Sequence, residues 1–259
     1  MLAVLEFFTI DKPEWTVEEA AARLGVSTAT AYRYFKRLTK VGLLSPLAGA
    51  HYSLGPAIIQ MDRQIQICDP MLRAARPVMI DLIQYAPEGS TMLLSRPFHD
   101  CVMCVHQVLG HGPQQPVSYE RGRLMPLFRG ATSTIILAHL SPRHLKSLFK
   151  RHSAEIANAG LGKTWDQFRS TLAGFRRAGG CITRGDIDSG RVGIAAPILD
   201  SNGAILGSLS FVLLQAKADE AITGRLFSLT CAGAREIERA MADETVVRPA
   251  RMKMALRAV

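Results

Sequence analysis

Two short helices joined by a tight turn are predicted near the N-terminus, and this pair constrains the fold more than any other feature. Thr16 followed by Glu19 is the pattern of a capping box, which begins a helix by satisfying its first backbone N–H groups. Gly25 stands where a left-handed residue ends that helix, and Ser27 can cap the next one. Two helices connected in this way form a helix-turn-helix.

The second helix of the pair, residues 27–40, is predicted to contact DNA. Helical spacing places its apolar residues on one face, and its hydroxyl-bearing and cationic residues on the other face and in the N-terminal turn. Small hydroxyl residues at a helix start fit the major groove, and an arginine is long enough to reach a guanine edge. An ordinary solvated helix face is the alternative. The predicted DNA contacts in and beside this helix pair are Thr16, Ser27, Thr28, Thr30, Tyr32, Arg33 and Arg37.

The overall charge agrees with an anionic partner. The chain has 31 Lys and Arg against 22 Asp and Glu, a net charge of +9. An excess of this size favours nucleic acid first and an acidic membrane surface second, although simple solubility is an alternative. Between Arg23 and Lys40 the sequence contains no acidic residue. The positive charge is therefore concentrated on the helix that is predicted to contact DNA.

A β-hairpin is predicted directly after the helix pair. Two short apolar segments, residues 43–44 and 52–54, are separated by a stretch that contains Pro46 and Gly49. Such a hairpin is the wing of a winged helix-turn-helix. Because its tip carries little positive charge, only His51 is placed to contact a phosphate, and residues 27–40 are expected to supply most of the affinity.

These motifs together resemble the DNA-binding half of the IclR family of bacterial transcription regulators. The resemblance implies four segments: a winged helix-turn-helix at 1–55, a helical linker at 56–69, a GAF-like effector-binding domain at 70–245 and a basic tail at 246–259, which is expected to be disordered. The segments that carry the resemblance are residues 15–19 (WTVEE), 27–34 (STATAYRY), 41–44 (VGLL), 52–56 (YSLGP) and 69–77 (DPMLRAARP).

The second domain is predicted to be an antiparallel sheet flanked by helices, so that the whole chain belongs to the α+β class. The pair Asn202-Gly203 is a strong hairpin signal between two of the strands. Strands are predicted at 91–95, 102–108, 116–119, 181–184, 192–199 and 204–214. Helices are predicted at 2–9, 71–85, 134–140, 142–151, 164–177 and 219–241.

An anion site is predicted where the loop at 126–133 leads into a helix, because unpaired N–H groups and the helix dipole attract negative charge there. The family resemblance identifies this loop with an effector pocket, although a plain capped helix start is an alternative. Alternation along the strand at 204–214 places Ser208 and Ser210 on one face, where both hydroxyls could bind a carboxylate. The predicted effector contacts are Ala131 and Thr132 through backbone N–H groups, Arg184, Asp186, Gly193, Ser208 and Ser210.

Several positions of this predicted pocket depart from the family pattern. Phe128 stands where a histidine is frequent, and Thr134 stands where a lysine is frequent. Gly193 and Val212 likewise replace residues with polar side chains, a cysteine and a serine. The loss of polar groups suggests a roomier pocket for a more apolar or aromatic effector.

Other functional classes have weaker support. Alternation along a strand places Cys104 and His106 on one face and Cys101 on the other, so no metal site is predicted. No catalytic or phosphate-binding motif is present, and we expect neither an enzyme nor a cofactor. Two alternatives stay open: a small-molecule hydrolase with a tethered DNA-binding domain, and an architectural DNA binder whose second domain serves only assembly.

The predicted protein is a sequence-specific transcription regulator. Its partners would be double-stranded operator DNA, a second copy of the chain in a homodimer or dimer of dimers, and a small organic acid such as an aromatic catabolite. No apolar run reaches the ~18 residues that span a bilayer, and the first residues do not form a signal peptide. Five Cys are too few for a disulfide framework. We therefore expect a cytoplasmic protein with reduced thiols.

Overall fold

The structure is a computed structural model that describes residues 1–113 and 118–255, with side chains of the last helix described as far as residue 243. The chain divides into two compact units, Met1–Asp69 and Pro70–Val259. Each unit buries its own apolar cluster.

The N-terminal unit is a winged helix-turn-helix, as predicted. Thr16 caps the first helix through a complete capping box with Glu19, and Gly25 ends it with φ of 66°. The wing has three strands in the order β1-β3-β2, since a two-residue strand that the sequence pattern did not predict pairs with the hairpin. The elements are β1 (Trp15–Thr16), α1 (Val17–Leu24), α2 (Thr28–Lys40), β2 (Leu44–Pro46), β3 (His51–Leu54) and α3 (Pro56–Cys68).

The predicted amphipathic helix at 2–9 is a 3₁₀ helix, Leu2–Phe7, instead of an α-helix. No side chain caps its start, and six residues are too few to stabilise an α-helix on their own. The Trp15 indole donates a hydrogen bond to the Phe7 carbonyl at 2.8 Å, so a tertiary contact fixes the end of this segment.

The second unit is built on one antiparallel sheet of six strands, which confirms the predicted class. The strand order is β6-β5-β4-β9-β8-β7. Its strands are β4 (Thr91–Phe98), β5 (Cys101–Leu109), β6 (Leu124–Pro126), β7 (Cys181–Arg184), β8 (Arg191–Leu199) and β9 (Ile205–Leu214). Its helices are α4 (Pro70–Leu82), α5 (Ala131–Ala138), α6 (Pro142–Asn158), α7 (Trp165–Ala178) and α8 (Glu220–Ala255).

Helices cover both faces of this sheet. Leu209, Phe211 and Leu213 of β9 pack in the cluster that contains α4 and α8. Val212 packs with α5, α6 and α7 on the opposite face, where Ser208 and Ser210 also bond to α5. The predicted alternation along β9 is therefore confirmed, and its hydroxyl face points toward α5.

Some predicted boundaries were wrong. α5 begins at Ala131 instead of Thr134, so the residues expected in a loop form the first helical turn. α8 continues to Ala255, past the predicted end at 241, and the part of the basic tail at 246–255 is helical here. Residues 116–117 of the predicted strand at 116–119, and residues 256–259 of the tail, lie outside the described residues; Ser118 and Tyr119 are described and are not in a strand. β6 was not predicted, because three residues are too few to give a periodic pattern.

A β-bulge corrects the predicted arrangement of Cys104 and His106. The register passes from Leu94↔His106 to Ser95↔Cys104, which leaves Val105 without a partner on β4. A bulge reverses the alternation of side chains along a strand. Cys104 accordingly packs on the α5 side of the sheet. Burial lowers the pKa of His106, and the charge of Arg76, on the opposite side in α4, lowers it further.

The capping box of α1 gives a test of the N-terminal unit. Replacing Thr16 by alanine removes the oxygen that accepts from the Glu19 N–H. We expect the free energy of unfolding of this unit to fall by about 1 kcal/mol. Urea unfolding followed by Trp15 fluorescence, in a Trp165→Phe background, measures it. The control is Thr28→Ala, which removes an exposed hydroxyl that is not at the N-cap and should change the value by less than about 0.5 kcal/mol. Equal losses in both variants would contradict the role of the cap.

Candidate DNA interface and effector pocket

The outer face of α2 is a cationic, solvent-exposed surface. Phe35 is fully buried, whereas Arg33 on the opposite side of the helix is exposed, and Tyr32 at its flank is 55% exposed. A groove of about 680 Å³ runs beside this face between α2, the start of α1 and the wing. Thr28, Tyr32 and Arg33 line it, which brings three of the predicted DNA contacts together.

The hydroxyl groups at the start of α2 form a connected set. Ser27 Oγ accepts from the Thr30 N–H at 3.3 Å and donates to Thr30 Oγ1 at 3.0 Å. Arg33 Nη2 also donates to Thr30 Oγ1, at 3.2 Å. Ser27 is thus engaged in capping the helix. Thr30 keeps its own hydroxyl proton for another acceptor and holds the Arg33 guanidinium near the N-terminal turn.

Thr16 and His51 lie at the edge of this surface, on paired residues of β1 and β3. The Thr16 hydroxyl already accepts from Glu19 N–H and retains only its proton for a phosphate. His51 Nδ1 lies 3.1 Å from the Gly49 carbonyl oxygen, which leaves Nε2 to face outward. Arg37 is exposed near the C-terminus of α2.

Two polar residues of the groove were missed by the sequence analysis. Glu18 lines it from α1, and Tyr52 lines it from β3. Glu18 was interpreted only as part of the capped first turn, and Tyr52 as a wing strand residue. Their shared position depends on the pairing of β1 with β3, which no local pattern revealed.

In the second unit, the N-terminus of α5 is already bonded to side chains of the chain itself. The Ala131 N–H donates to Thr183 Oγ1 at 3.1 Å, and the Gly130 N–H makes a longer bond of 3.4 Å to Asp186 Oδ2. A carboxylate at a helix N-terminus is favoured by the helix dipole. The predicted anion position is therefore held by Asp186 in this structure.

Tyr119 lies against the same helix start. It is 5% exposed, and its hydroxyl oxygen approaches Gly130 so closely that a β-carbon at that position would be 2.0 Å away. Asp188 holds the adjacent Ser118, because its carboxylate accepts from the Ser118 N–H at 2.9 Å and from the Ser118 hydroxyl. The sequence analysis did not predict Tyr119 as a site residue, because it lies in no motif and was interpreted only as the last residue of a predicted strand.

The resulting cavity is small. Its volume is about 20 Å³, enough for a water molecule but far below the roughly 150 Å³ that accommodates a benzene ring. The expectation of a roomier pocket is therefore wrong for this structure, because Tyr119 and Ile187 fill the space. The lining residues include four of the predicted effector contacts, namely Ala131, Thr132, Asp186 and Gly193.

The remaining predicted effector contacts lie outside the cavity lining. Ser208 Oγ donates to the Thr132 carbonyl at 3.1 Å, and Ser210 Oγ lies 2.9 Å from Thr132 Oγ1. Both serines are fully buried and hold the first turn of α5 on the sheet. Arg184 is exposed at the end of β7, and Arg191 lines the cavity in its place.

The charges around the cavity have opposite signs. Asp186 and Asp188 contribute negative charge, and the 7% exposed Arg191 contributes positive charge. Burial raises the pKa of Tyr119, and the neighbouring Asp188 and Asp186 carboxylates raise it further. Tyr119 is accordingly a neutral phenol at physiological pH.

Two further findings limit the chemistry of the described residues. Within 1–113 and 118–255, no group of three or more His, Cys, Asp or Glu side chains is arranged to hold a metal ion. In the same part of the chain, no helix has both the length and the apolar character needed to cross a bilayer.

The chain belongs to the IclR family of bacterial transcriptional regulators. The family model "Bacterial transcriptional regulator IclR C-terminal" matches residues 69–239, and the "IclR helix-turn-helix domain" matches residues 1–47. Members of this family are transcriptional regulators and not enzymes. The helix-turn-helix thus has the DNA-binding role of the family.

Characterised relatives are distant but cover most of the chain. HTH-type transcriptional regulator KipR of Bacillus subtilis is 23% identical over 85% of this chain and 86% of its own length. The p-hydroxybenzoate hydroxylase transcriptional activator of Acinetobacter baylyi is 22% identical over 81% of this chain and 78% of its own.

Solved structures have the same fold. An IclR transcriptional regulator from Silicibacter superposes with a TM-score of 0.77 at 20% identity, over 93% of this chain and 94% of that one. An IclR homologue from Microbacterium hydrocarbonoxydans, crystallised with 4-hydroxybenzoate, has a TM-score of 0.72 at 22% identity, covering 93% and 97%.

The contact between Tyr119 and Gly130 can be tested by a double-mutant cycle. Gly130→Ala introduces both a clash with Tyr119 and strain at φ of 80°, so we expect a stability loss of about 2–4 kcal/mol. Tyr119→Ala destabilises the protein by emptying a buried site, but in the double variant it relieves the clash with the ring and leaves the backbone strain and the contact with Ile187. The stability loss of the double variant should therefore be about 1 kcal/mol smaller than the sum of the two single losses. Thermal unfolding measures all three.

Gly122→Ala is the matched control for this cycle. Gly122 has φ of 84° and open space around it, so alanine there causes backbone strain without a clash. Its loss should be smaller than that of Gly130→Ala and additive with Tyr119→Ala. Additive losses for Gly130→Ala and Tyr119→Ala would mean that the two residues are not in contact.

Proposed function

We propose that the chain is a sequence-specific DNA-binding regulator whose operator affinity is controlled by a small organic acid bound in the second unit. The observation that carries the DNA-binding part is the exposed cationic face of α2 opposite buried Phe35. In this proposal α2 enters the major groove, and Thr28, Thr30, Tyr32 and Arg33 face base edges.

The other predicted contacts position the helix on the phosphate backbone. Arg37 is exposed near the end of α2 and adds electrostatic attraction. Thr16 and His51 lie at the adjoining strand pair, where the Thr16 hydroxyl retains its proton for a phosphate oxygen. Because His51 Nδ1–H faces the Gly49 carbonyl, His51 would donate to a phosphate from Nε2 only when both ring nitrogens carry a proton. Ser27 acts through its cap, which holds the N-terminal turn in a helical conformation.

The functional unit in this proposal is a homodimer or a dimer of dimers. α3 contains no buried residue within this single chain, and Ile59 is 74% exposed on it. An exposed apolar helix of this kind favours association with another copy. Two copies would present two α2 helices to half-sites one helical turn apart, about 34–36 Å, on a palindromic operator.

The proposed effector site is the start of α5 with Ala131, Thr132, Asp186 and Gly193. A relative crystallised with 4-hydroxybenzoate, and a relative named as the transcriptional activator of p-hydroxybenzoate hydroxylase, support an aromatic carboxylate as the class of effector. Because the cavity is small, we infer that the acid displaces Tyr119. The carboxylate of the acid would then take the place of the Asp186 carboxylate at the N-terminus of α5.

Such an exchange can control DNA binding without a large energy. A coupling of about 1–3 kcal/mol between effector and operator changes affinity by roughly 5–150-fold. Arg191 lines the cavity and would balance the charge of the incoming acid. Arg184 stays a predicted contact at the exposed end of β7, and Ser208 and Ser210 support the site by holding Thr132.

The role of Arg33 can be tested directly. On the sequence that the wild-type protein enriches from random DNA, Arg33→Ala should weaken binding by about 1–3 kcal/mol and relax the preference at one base position. Fluorescence anisotropy against a set of single-base variants measures both effects. Arg177→Ala, which removes an exposed charge from α7, is the control and should leave the base preference unchanged. Unaltered affinity and preference in Arg33→Ala would exclude a role in base recognition.

The proposed displacement of Asp186 predicts an unusual gain of affinity. Asp186→Asn removes a negative charge beside the incoming carboxylate but keeps an oxygen that can accept from Gly130 N–H. We expect 4-hydroxybenzoate to bind about tenfold more tightly to this variant, by isothermal titration calorimetry, because a like charge is removed.

Asp166→Asn, an exposed carboxylate at the start of α7, is the matched control and should not change the affinity. Equal or weaker binding of the acid to Asp186→Asn would contradict the exchange of carboxylates. If no aromatic acid bound either form, the small cavity would instead favour a DNA-binding protein whose second unit serves assembly.

A further inference from the structure

A second, much larger concavity lies within the C-terminal unit. It is a groove of about 820 Å³ formed by the end of α5, the first part of α6, the exposed side of α7 and the turn between β8 and β9. Small-molecule sites in proteins have volumes of about 300–1,000 Å³. The groove therefore has the size of a ligand site, in contrast to the small cavity at the other end of α5.

The charge of this groove has one sign. Arg143 and Lys146 of α6 and Arg169 and Arg176 of α7 line it, and no Asp or Glu does. Within the described part of the chain, none of these four cations forms an ion pair. Their positive charges converge from two helices on the same space and are not neutralised there.

The acidic residues nearest along the chain do not alter this picture. Asp166 is exposed in the first turn of α7 and does not line the groove. Asp200 precedes the β8–β9 turn, and its Oδ1 accepts from the N–H groups of Asn202 and Ala204, both at 2.8 Å. Its charge is thus engaged within its own turn.

The floor of the groove is apolar and contains an aromatic ring. Leu140 and Leu145 line it together with Trp165, which also packs edge-on against Phe149 with ring centroids 5.8 Å apart. The Arg169 guanidinium lies over the Trp165 ring, 5.8 Å from its centroid. A flat ring can stack on both an indole and a guanidinium, so this wall suits a planar ligand.

Two groups at the inner end of the groove are held in place by α5. Arg176 Nη1 donates to the Ala138 carbonyl, which fixes its guanidinium at the C-terminus of that helix. His139 Nδ1 lies 2.9 Å from the Ile135 carbonyl, and burial lowers the pKa of His139. All four cations are exposed. Arg176 is fixed by its bond to α5, whereas Arg143, Lys146 and Arg169 can close on a ligand.

We propose that this groove is a second small-molecule site, which binds a planar aromatic ring that carries at least two negative charges. The ring would lie on Trp165 and Arg169, and the anionic groups would face Arg143, Lys146 and Arg176. Aromatic dicarboxylates and nucleoside monophosphates share this chemistry. The site is separate from the proposed effector pocket, because the two have no lining residue in common.

The test is a fluorescence titration of the full-length Trp15→Phe protein, in which Trp165 is the remaining tryptophan. Phthalate and adenosine monophosphate are the two ring-containing dianions, and the preference between them identifies the source of the ligand. Benzoate has the ring with one charge, and pyrophosphate has the charge without a ring. We expect saturable quenching by at least one ring-containing dianion, with about tenfold weaker binding of benzoate and pyrophosphate.

Variants assign the signal to the groove. Lys146→Gln should weaken binding of the dianion by about tenfold, because it removes a charge-assisted hydrogen bond. Arg169→Gln should weaken it by about the same factor, because it removes the guanidinium on which the ring stacks. Arg177→Gln and Lys150→Gln remove exposed charges from the same two helices outside the groove, and should change it less than about twofold. Asp186→Asn, in the other pocket, should have no effect.

Several outcomes would overturn the proposal. These are absence of saturation by either dianion, equal loss in the groove variants and their controls, and a response that follows Asp186→Asn. Sedimentation analysis adds a further one, since loss of self-association in Arg169→Gln without any dianion binding would identify the groove as an interface between copies of the chain.

Discussion

The packing of Phe35 beneath α2 is the interaction on which DNA recognition depends. Its ring is fully buried and meets the Tyr52 ring edge-on, with centroids 4.9 Å apart. Ala31 and Leu38 complete the buried stripe of the helix. Because this stripe fixes the rotation of α2 about its axis, the opposite face must be presented to solvent. In our account the exposed face of α2 contacts DNA, because the buried stripe prevents the helix from rotating that face into the core.

The second unit uses α5 as a shared element. Every residue of this helix is buried, and its first turn is held on β9 by Ser208 and Ser210. The small cavity with Asp186 lies at its N-terminus, and the cationic groove with Arg176 lies at its C-terminus. Because α5 is buried and bonded to β9, a ligand that shifts either end of the helix would also shift its contacts with the sheet. The state described here has the first site occupied by the chain's own side chains.

Features encoded by neighbouring residues could be predicted from the sequence, and features created by distant residues could not. The capping box of Thr16 and the alternation along β9 are local patterns, and both were predicted correctly. The link between Ser118 and Asp188 joins residues 70 positions apart and left no local signal. The cation at the cavity is Arg191 instead of the predicted Arg184, and this likewise depends on the register of β7 with β8. Alternation along β5 wrongly predicted that Cys104 and His106 share a face, because the β-bulge at Val105 arises from the pairing of two strands.

The central claim is that α2 reads a specific DNA sequence under the control of an acid bound at α5. Selection of duplexes from a random pool by the full-length protein, at physiological ionic strength and with and without 4-hydroxybenzoate, tests it most directly. The account predicts enrichment of one palindromic motif with half-sites about one helical turn apart, and a change in its retention when the acid is added. Enrichment of no motif under either condition would contradict it.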